Sequence, residues 1–194
     1  AFREKTEGER RKIAKQFYRN FTDNFIETIK LISASKKFIK RHFVGNVDLL
    51  VDLHKQGKKC QVHLGHNFNW EFANMAMAFY TLYTLLTFHM PINNKAVEKL
   101  FKKIRTRTGA VLLPATRMTR AMMPYRDQQF MLALVADQNP GEPGKAYWLN
   151  FFGKPTAFVT GPEKGARARN LPVFFCYITK PKRGHYHIVF TLAE

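Results

Sequence analysis

Beyond Lys59 the chain is a succession of short apolar runs separated by helical or turn-forming segments, and this alternation restricts the fold more than any other feature. CQVHL (60–64), TLYTLLTFHMP (81–91), GAVLLP (109–114), FMLALVADQ (130–138), LPVFFCYIT (171–179) and HYHIVFTLAE (185–194) read as strands. FANMAMAFY (72–80) and the basic stretch Lys95–Arg107, with Val97, Leu100, Phe101 and Ile104 on one face, read as helices between them. Helices between consecutive apolar strands are what parallel pairing requires, so the expected class is α/β: one domain, a mostly parallel β-sheet flanked by helices. Residues 72–90 contain no charged side chain over nearly the length of a membrane span. Asn74, Thr81, Thr84, Thr87 and His89 interrupt them, and a buried helix followed by a buried strand is the better reading.

Residues 1–58 read as a helical N-terminal leader packing on a core formed by residues 59–194. Ile13, Phe17, Phe21, Phe25, Ile29 and Ile32 recur every three or four positions and mark an amphipathic helix. The expectation is that this apolar face packs on the domain; a helix lying on a membrane surface is the other reading of the same pattern. A second helix is expected over Val47–His54, ended by Gly57. The chain opens at AFREK without a Met and stops at FTLAE, which reads as a piece of a longer protein.

Composition bears on partners. Thirty-two Lys and Arg against 14 Asp and Glu give a net charge of +18, spread along the chain with no basic tail. Such a charge points to an anionic partner, whether nucleic acid, lipid headgroup or acidic protein. No zinc-finger, RNP1-like or basic-zipper pattern accompanies it. Cys60 and Cys176 lie in apolar runs and read as buried free thiols.

The residues with most chemical content are His66 and Glu71 in LGHNFNWEF. Five positions apart on one helix they would lie on different faces, so they cooperate only if His66 sits in a loop and the helix begins between them. Asn69 is the expected N-cap, with Glu71 in the first turn. Glu71 is then expected to reach back and orient His66 as a general base toward a hydroxyl attacking an activated acyl group. There is no G-x-S-x-G elbow, which favours direct attack over an acyl-enzyme. His63, His66 and Glu71 lack H-E-x-x-H spacing and a third ligand cluster, so no metal is expected.

Several blocks, in order over residues 63–178, resemble the bacterial lipid A acyltransferases, the late or secondary acyltransferases within the lysophospholipid acyltransferase superfamily. They are His66-Asn67-Phe68-Asn69-Trp70-Glu71; Arg105, Arg107 and Gly109; a basic position matched by Arg117 with Arg120 beside it; Asp137-Gln138-Asn139-Pro140-Gly141; Phe151-Phe152-Gly153-Lys154-Pro155; and the stretch from Gly161 through Val173. Phe68 and Gly165 depart from the pattern, the first standing where the turn usually has a small residue.

The resemblance implies a glycerolipid acyltransferase-like fold and transfer of a fatty acyl chain from acyl carrier protein, or acyl-CoA, to a hydroxyl of a lipid A precursor. It implies no cofactor, no nucleic acid, and work at an anionic membrane surface, the cytoplasmic face of the bacterial inner membrane, with an anchor helix preceding this part. It makes His66 the catalytic base and Glu71 its orienter. Arg117 and Arg120 become candidates for phosphate or oxyanion contacts, and Asp137 and Gln138 for positioning substrate or an arginine. Phe68, Trp70, Phe151 and Phe152 become candidates for the acyl pocket. A different acceptor, phospholipid or glycolipid, and a basic nucleic-acid-binding module are the alternatives.

Overall fold

The protein is described from a computed structural model covering residues 2–193. The chain opens with α1 (Glu7–Leu31), started by a capping box in which Thr6 and Glu9 satisfy each other's backbone amides. Next come α2 (Lys36–His42), β1 (Phe43–Gly45), α3 (Asp48–Lys55), β2 (Cys60–Leu64) and α4 (Trp70–Tyr80). They are followed by β3 (Thr84–His89), α5 (Lys95–Thr106), β4 (Val111–Pro114), α6 (Met118–Met122) and β5 (Phe130–Val135). The chain then forms β6 (Tyr147–Phe151), β7 (Lys154–Phe158), α7 (Gly161–Arg167), β8 (Val173–Lys182) and β9 (His185–Leu192). The uncharged stretch is thus a helix and a strand, α4, mostly buried, and β3, buried at Leu85 and Leu86 and half-buried elsewhere.

Seven strands form one sheet in the order β1-β9-β8-β2-β5-β3-β4. All its pairings are parallel except β8 with β9, whose hairpin reverses the last strand. Alternate residues sort to opposite faces. Cys60, Val62 and Leu64, with Met131 and Ala133, join the larger core under α1–α4, while Leu86, Leu113, Phe130 and Leu132 join a smaller one beneath Met122. Both cysteines are free and buried, and burial pushes each thiol up to about 12. The leader is part of this architecture, since β1 pairs with β9 at the sheet edge.

The orientation of α1 corrects the sequence reading. Phe17, Phe21, Phe25 and Ile29 are 62, 50, 54 and 64 % exposed, so the apolar stripe faces away from the domain. What packs inward is the polar side. Asn24 donates to the Phe68 carbonyl at 2.7 Å, Glu27 accepts from Asn69 and from the Tyr186 hydroxyl, and Asp23 is buried between Lys180 and Arg183. These partners lie 42 to 160 residues away in the chain. Periodicity identifies an apolar side and a polar side but cannot say which of them meets partners so distant.

Candidate active site

The carboxyl end of β2 runs through Gly65 into the loop holding His66, and α4 starts at Trp70. Asn69 caps α4, its side-chain oxygen accepting from the Phe72 amide at 2.9 Å. The helix therefore begins between His66 and Glu71, as the spacing demands. Gly65 leaves room for a close approach here: a Cβ would lie 3.0 Å from a carboxylate oxygen of Asp137, which would have to shift.

Asp137 follows β5, the strand beside β2, and grips His66 at two points. Oδ2 accepts from the His66 amide at 2.7 Å and Oδ1 lies 2.6 Å from Nδ1. An ionised carboxylate only accepts, so Nδ1 carries the hydrogen and Nε2 is left for other work. Partial burial acts to raise the Asp137 carboxyl, but the bonds from the His66 ring and amide outweigh it and hold it below the ordinary value.

The orienting contact expected of Glu71 therefore belongs to Asp137. Glu71 instead receives a forked pair from Arg105, with Nε at 2.9 and 3.0 Å and Nη2 at 2.5 Å. The geometry explains why: in the first turn of α4 the carboxylate points under the helix, where Arg105 arrives from the last turn of α5. Burial raises the Glu71 carboxyl, while Arg105 and, more weakly, His66 draw it back down. The Arg105 guanidinium lies 4.9 Å from the Trp70 ring centroid, and that ring packs edge-on to His66 at 5.4 Å. A run of contacts thus leads from Glu71 through Arg105 and Trp70 to His66.

His66, Trp70, Arg105 and Gln138 border a cavity of about 300 Å³ at the carboxyl ends of β2, β3 and β5. Its lining is mixed: Leu64, Met77, Phe88, Leu112 and Val135 are apolar, while Asn74, Thr87 and His89 are polar. The ends of parallel strands are where an α/β sheet leaves space for ligands.

The family model for bacterial lipid A biosynthesis acyltransferases matches residues 1–193. The chain belongs to that family. A search of curated proteins returns no match.

As a lipid A biosynthesis acyltransferase the chain is expected to handle an acyl donor and a lipid acceptor, and the candidate residues can be sorted on that basis. His66, Trp70, Gln138 and, through His66, Asp137 gather at the cavity. Arg117 and Arg120 do not: they follow β4, three strands away from β2, are exposed, and border none of the cavities described here. Phe151 and Phe152 are also elsewhere. They lie at the tip of the β6–β7 hairpin, 49 and 72 % exposed, where Phe152 and Gly153 form a two-residue turn with φ of 51° and 72°. Phe68 lines a different cavity, on the other side of the loop. Its φ of 51° lies in the left-handed region, which accounts for the small residue usual at this position. The site residue that sequence reading passed over is Arg105. It stands in the Arg105–Arg107 block, but its partner is 34 positions away.

Proposed function

We propose that the protein transfers a fatty acyl chain from a thioester donor, acyl carrier protein or acyl-CoA, to a hydroxyl of a lipid A precursor. The observation that carries this reading is the grip of Asp137 on His66 Nδ1, which directs Nε2 to the task of removing a proton. As the acceptor hydroxyl loses its proton to Nε2, its oxygen forms a C–O bond to the thioester carbonyl carbon. The carbonyl oxygen takes up the negative charge. Arg105, whose Nε and Nη2 are engaged by Glu71, has its Nη1 for that oxyanion. Collapse breaks the C–S bond, and the imidazolium returns its proton to the leaving thiolate. The apolar side chains in the cavity lining, among them Leu64, Met77 and Leu112, suit the acyl chain.

The same reading places the chain at an anionic leaflet, the cytoplasmic face of the inner membrane. No helix among the described residues is long and apolar enough to cross a bilayer. The exposed aromatic row of α1, with Arg10, Arg11, Lys12 and Lys15 on the same helix, suits a helix lying in the interface. A nucleic acid would satisfy the cations but leave the phenylalanines in water.

The test is turnover with an acyl-carrier donor and a lipid A precursor. His66→Ala is expected to abolish transfer, and Asp137→Asn to lower kcat by roughly 10²–10⁴ with little change in KM. Wild-type turnover in His66→Ala sinks the mechanism.

A further inference from the structure

A second cavity, of about 550 Å³, opens on the opposite side of the 65–69 loop. Its wall includes Phe68, two residues from His66, together with Arg19, Asp23, Lys180, Lys182 and Arg183. The arrangement is built from the sheet outward. On β8 the side chains of Phe174, Cys176 and Ile178 form an inward, buried row, and Lys180 is the next member of it. Its side chain is only 7 % exposed, and its Nζ donates to Asp23 at 2.6 Å and to the Asn20 side chain at 3.3 Å. An irregularity between Thr179 and Lys182 then shifts the strand, and Arg183 closes on the other Asp23 oxygen at 2.8 Å.

Four cations therefore face one carboxylate. Asp23 is committed to Lys180 and Arg183, and among the described residues Arg19 and Lys182 pair with no carboxylate. A half-enclosed concavity with such an excess concentrates field and selects a multiply charged anion. A phosphate monoester carries between one and two negative charges near neutrality and three acceptor oxygens, which guanidinium forks engage in pairs. The remaining lining is suited to what would carry that phosphate. Gln16 Nε2 donates to Asn20 Oδ1 at 3.2 Å, which leaves Gln16 Oε1 and Asn20 Nδ2 for hydroxyls, and Phe68 offers a flat apolar wall to a sugar ring. Phe17 and Phe21, which follow Gln16 and Asn20 in the chain, belong to the exposed apolar stripe of α1.

We propose that this basic cavity holds a phosphate monoester on the saccharide headgroup of the acceptor, across the catalytic loop from the cavity for the acyl chain. The assignment rests on the acyl-transfer reading above. It gives Arg19, Lys182 and Arg183 the phosphate contact that sequence reading gave to Arg117 and Arg120.

The test uses the double variant Arg19→Gln/Lys182→Gln, both exposed positions that leave the Asp23 pairs intact. In a phosphorus-detected NMR titration, glucosamine 1-phosphate is expected to bind the wild-type chain more tightly than inorganic phosphate does, and the variant about tenfold more weakly. In steady-state turnover, KM for the phosphorylated acceptor is expected to rise about tenfold, with kcat, donor KM and the KM of a dephosphorylated acceptor within twofold. Inorganic phosphate binding as tightly as glucosamine 1-phosphate makes this a free-anion site and overturns the headgroup assignment. So does equal binding by variant and wild type. Normal transfer with an unchanged KM overturns the cavity's role and leaves the chemistry standing. Variant-sensitive binding of the sugar phosphate by a chain with no transfer activity supports the cavity and overturns the acyl-transfer reading.

Discussion

At the level of single residues, Glu71 and Asp137 are both carboxylates beside His66, yet their environments separate them. The Glu71 side chain is 6 % exposed and forked to an Arg105 side chain that is itself 15 % exposed. Deleting one member of such a pair leaves the other charge buried without compensation, a loss of about 3–5 kcal/mol. Asp137 is 46 % exposed, and exchanging its carboxylate for an amide costs the fold little, at most about 1 kcal/mol by analogy with surface pairs. Glu71→Ala is therefore expected to lose stability and turnover together, whereas Asp137→Asn loses turnover alone. Denaturant unfolding measured beside kcat checks this. Should Glu71→Gln keep wild-type stability and still be as inactive as His66→Ala, Glu71 would have to act on the reacting atoms and not through Arg105.

Among the elements, α1 shows where local pattern stops being informative. The apolar period marked the helix and its end to within a residue, but not its start at Glu7, which a capping box sets well ahead of Ile13, the first apolar residue of the stripe. The N-cap at Asn69 and the strand-loop-helix passage around His66 were readable for the same reason: each depends on residues within three or four positions. The contacts that decide function are not local. His66 meets Asp137 across 71 positions, and Asp23 meets Lys180 across 157. The β6–β7 hairpin was missed because its paired phenylalanines look like core residues until the turn between the strands is recognised. The outward stripe of α1 leads to an element-level prediction. The rings of Phe17 and Phe21 stack at 6.1 Å, Phe25 meets Phe21 edge-on at 4.9 Å, and all three are at least half exposed. Replacing all three by Ser is expected to leave the unfolding midpoint within a few degrees of wild type. It should also weaken co-sedimentation with vesicles containing anionic phospholipid at least tenfold, since each ring buried in a bilayer contributes about 1.5–3 kcal/mol. Unchanged vesicle binding would mean that this face does not meet the membrane. A large fall in stability would mean that the stripe packs on the domain after all.

For the whole molecule, the attachment of α1 to the end of β8 depends on the buried Asp23–Lys180 pair, joined by the exposed Arg183, in a chain of net charge +18, and this makes acid stability informative. Burial acts to raise the Asp23 carboxyl, but the bonds and charges of Lys180 and Arg183 prevail and hold it below its ordinary 3.8. A carboxyl depressed by folding stabilises the native state fully above its unfolded value, and that contribution is lost as pH falls through the lower, folded value. The window therefore lies below about pH 4–5, where protonation of the 14 acidic side chains also increases the self-repulsion of the chain. The two effects can be separated, because repulsion among surface charges is screened by salt and a pair this buried is screened much less. Asp23→Asn is expected to be less stable than wild type by about 3–5 kcal/mol at neutral pH, a gap that persists in added salt and narrows as pH falls below 4. Unfolding free energies of both proteins, measured from pH 7 to pH 2 at low and high salt, provide the check. A gap of constant size across that range would show that Asp23 does not stabilise the fold as an ionised partner of Lys180. A gap that disappears in salt at neutral pH would show that the cluster is solvated, and that α1 is held to the sheet mainly by Asn24 and Glu27.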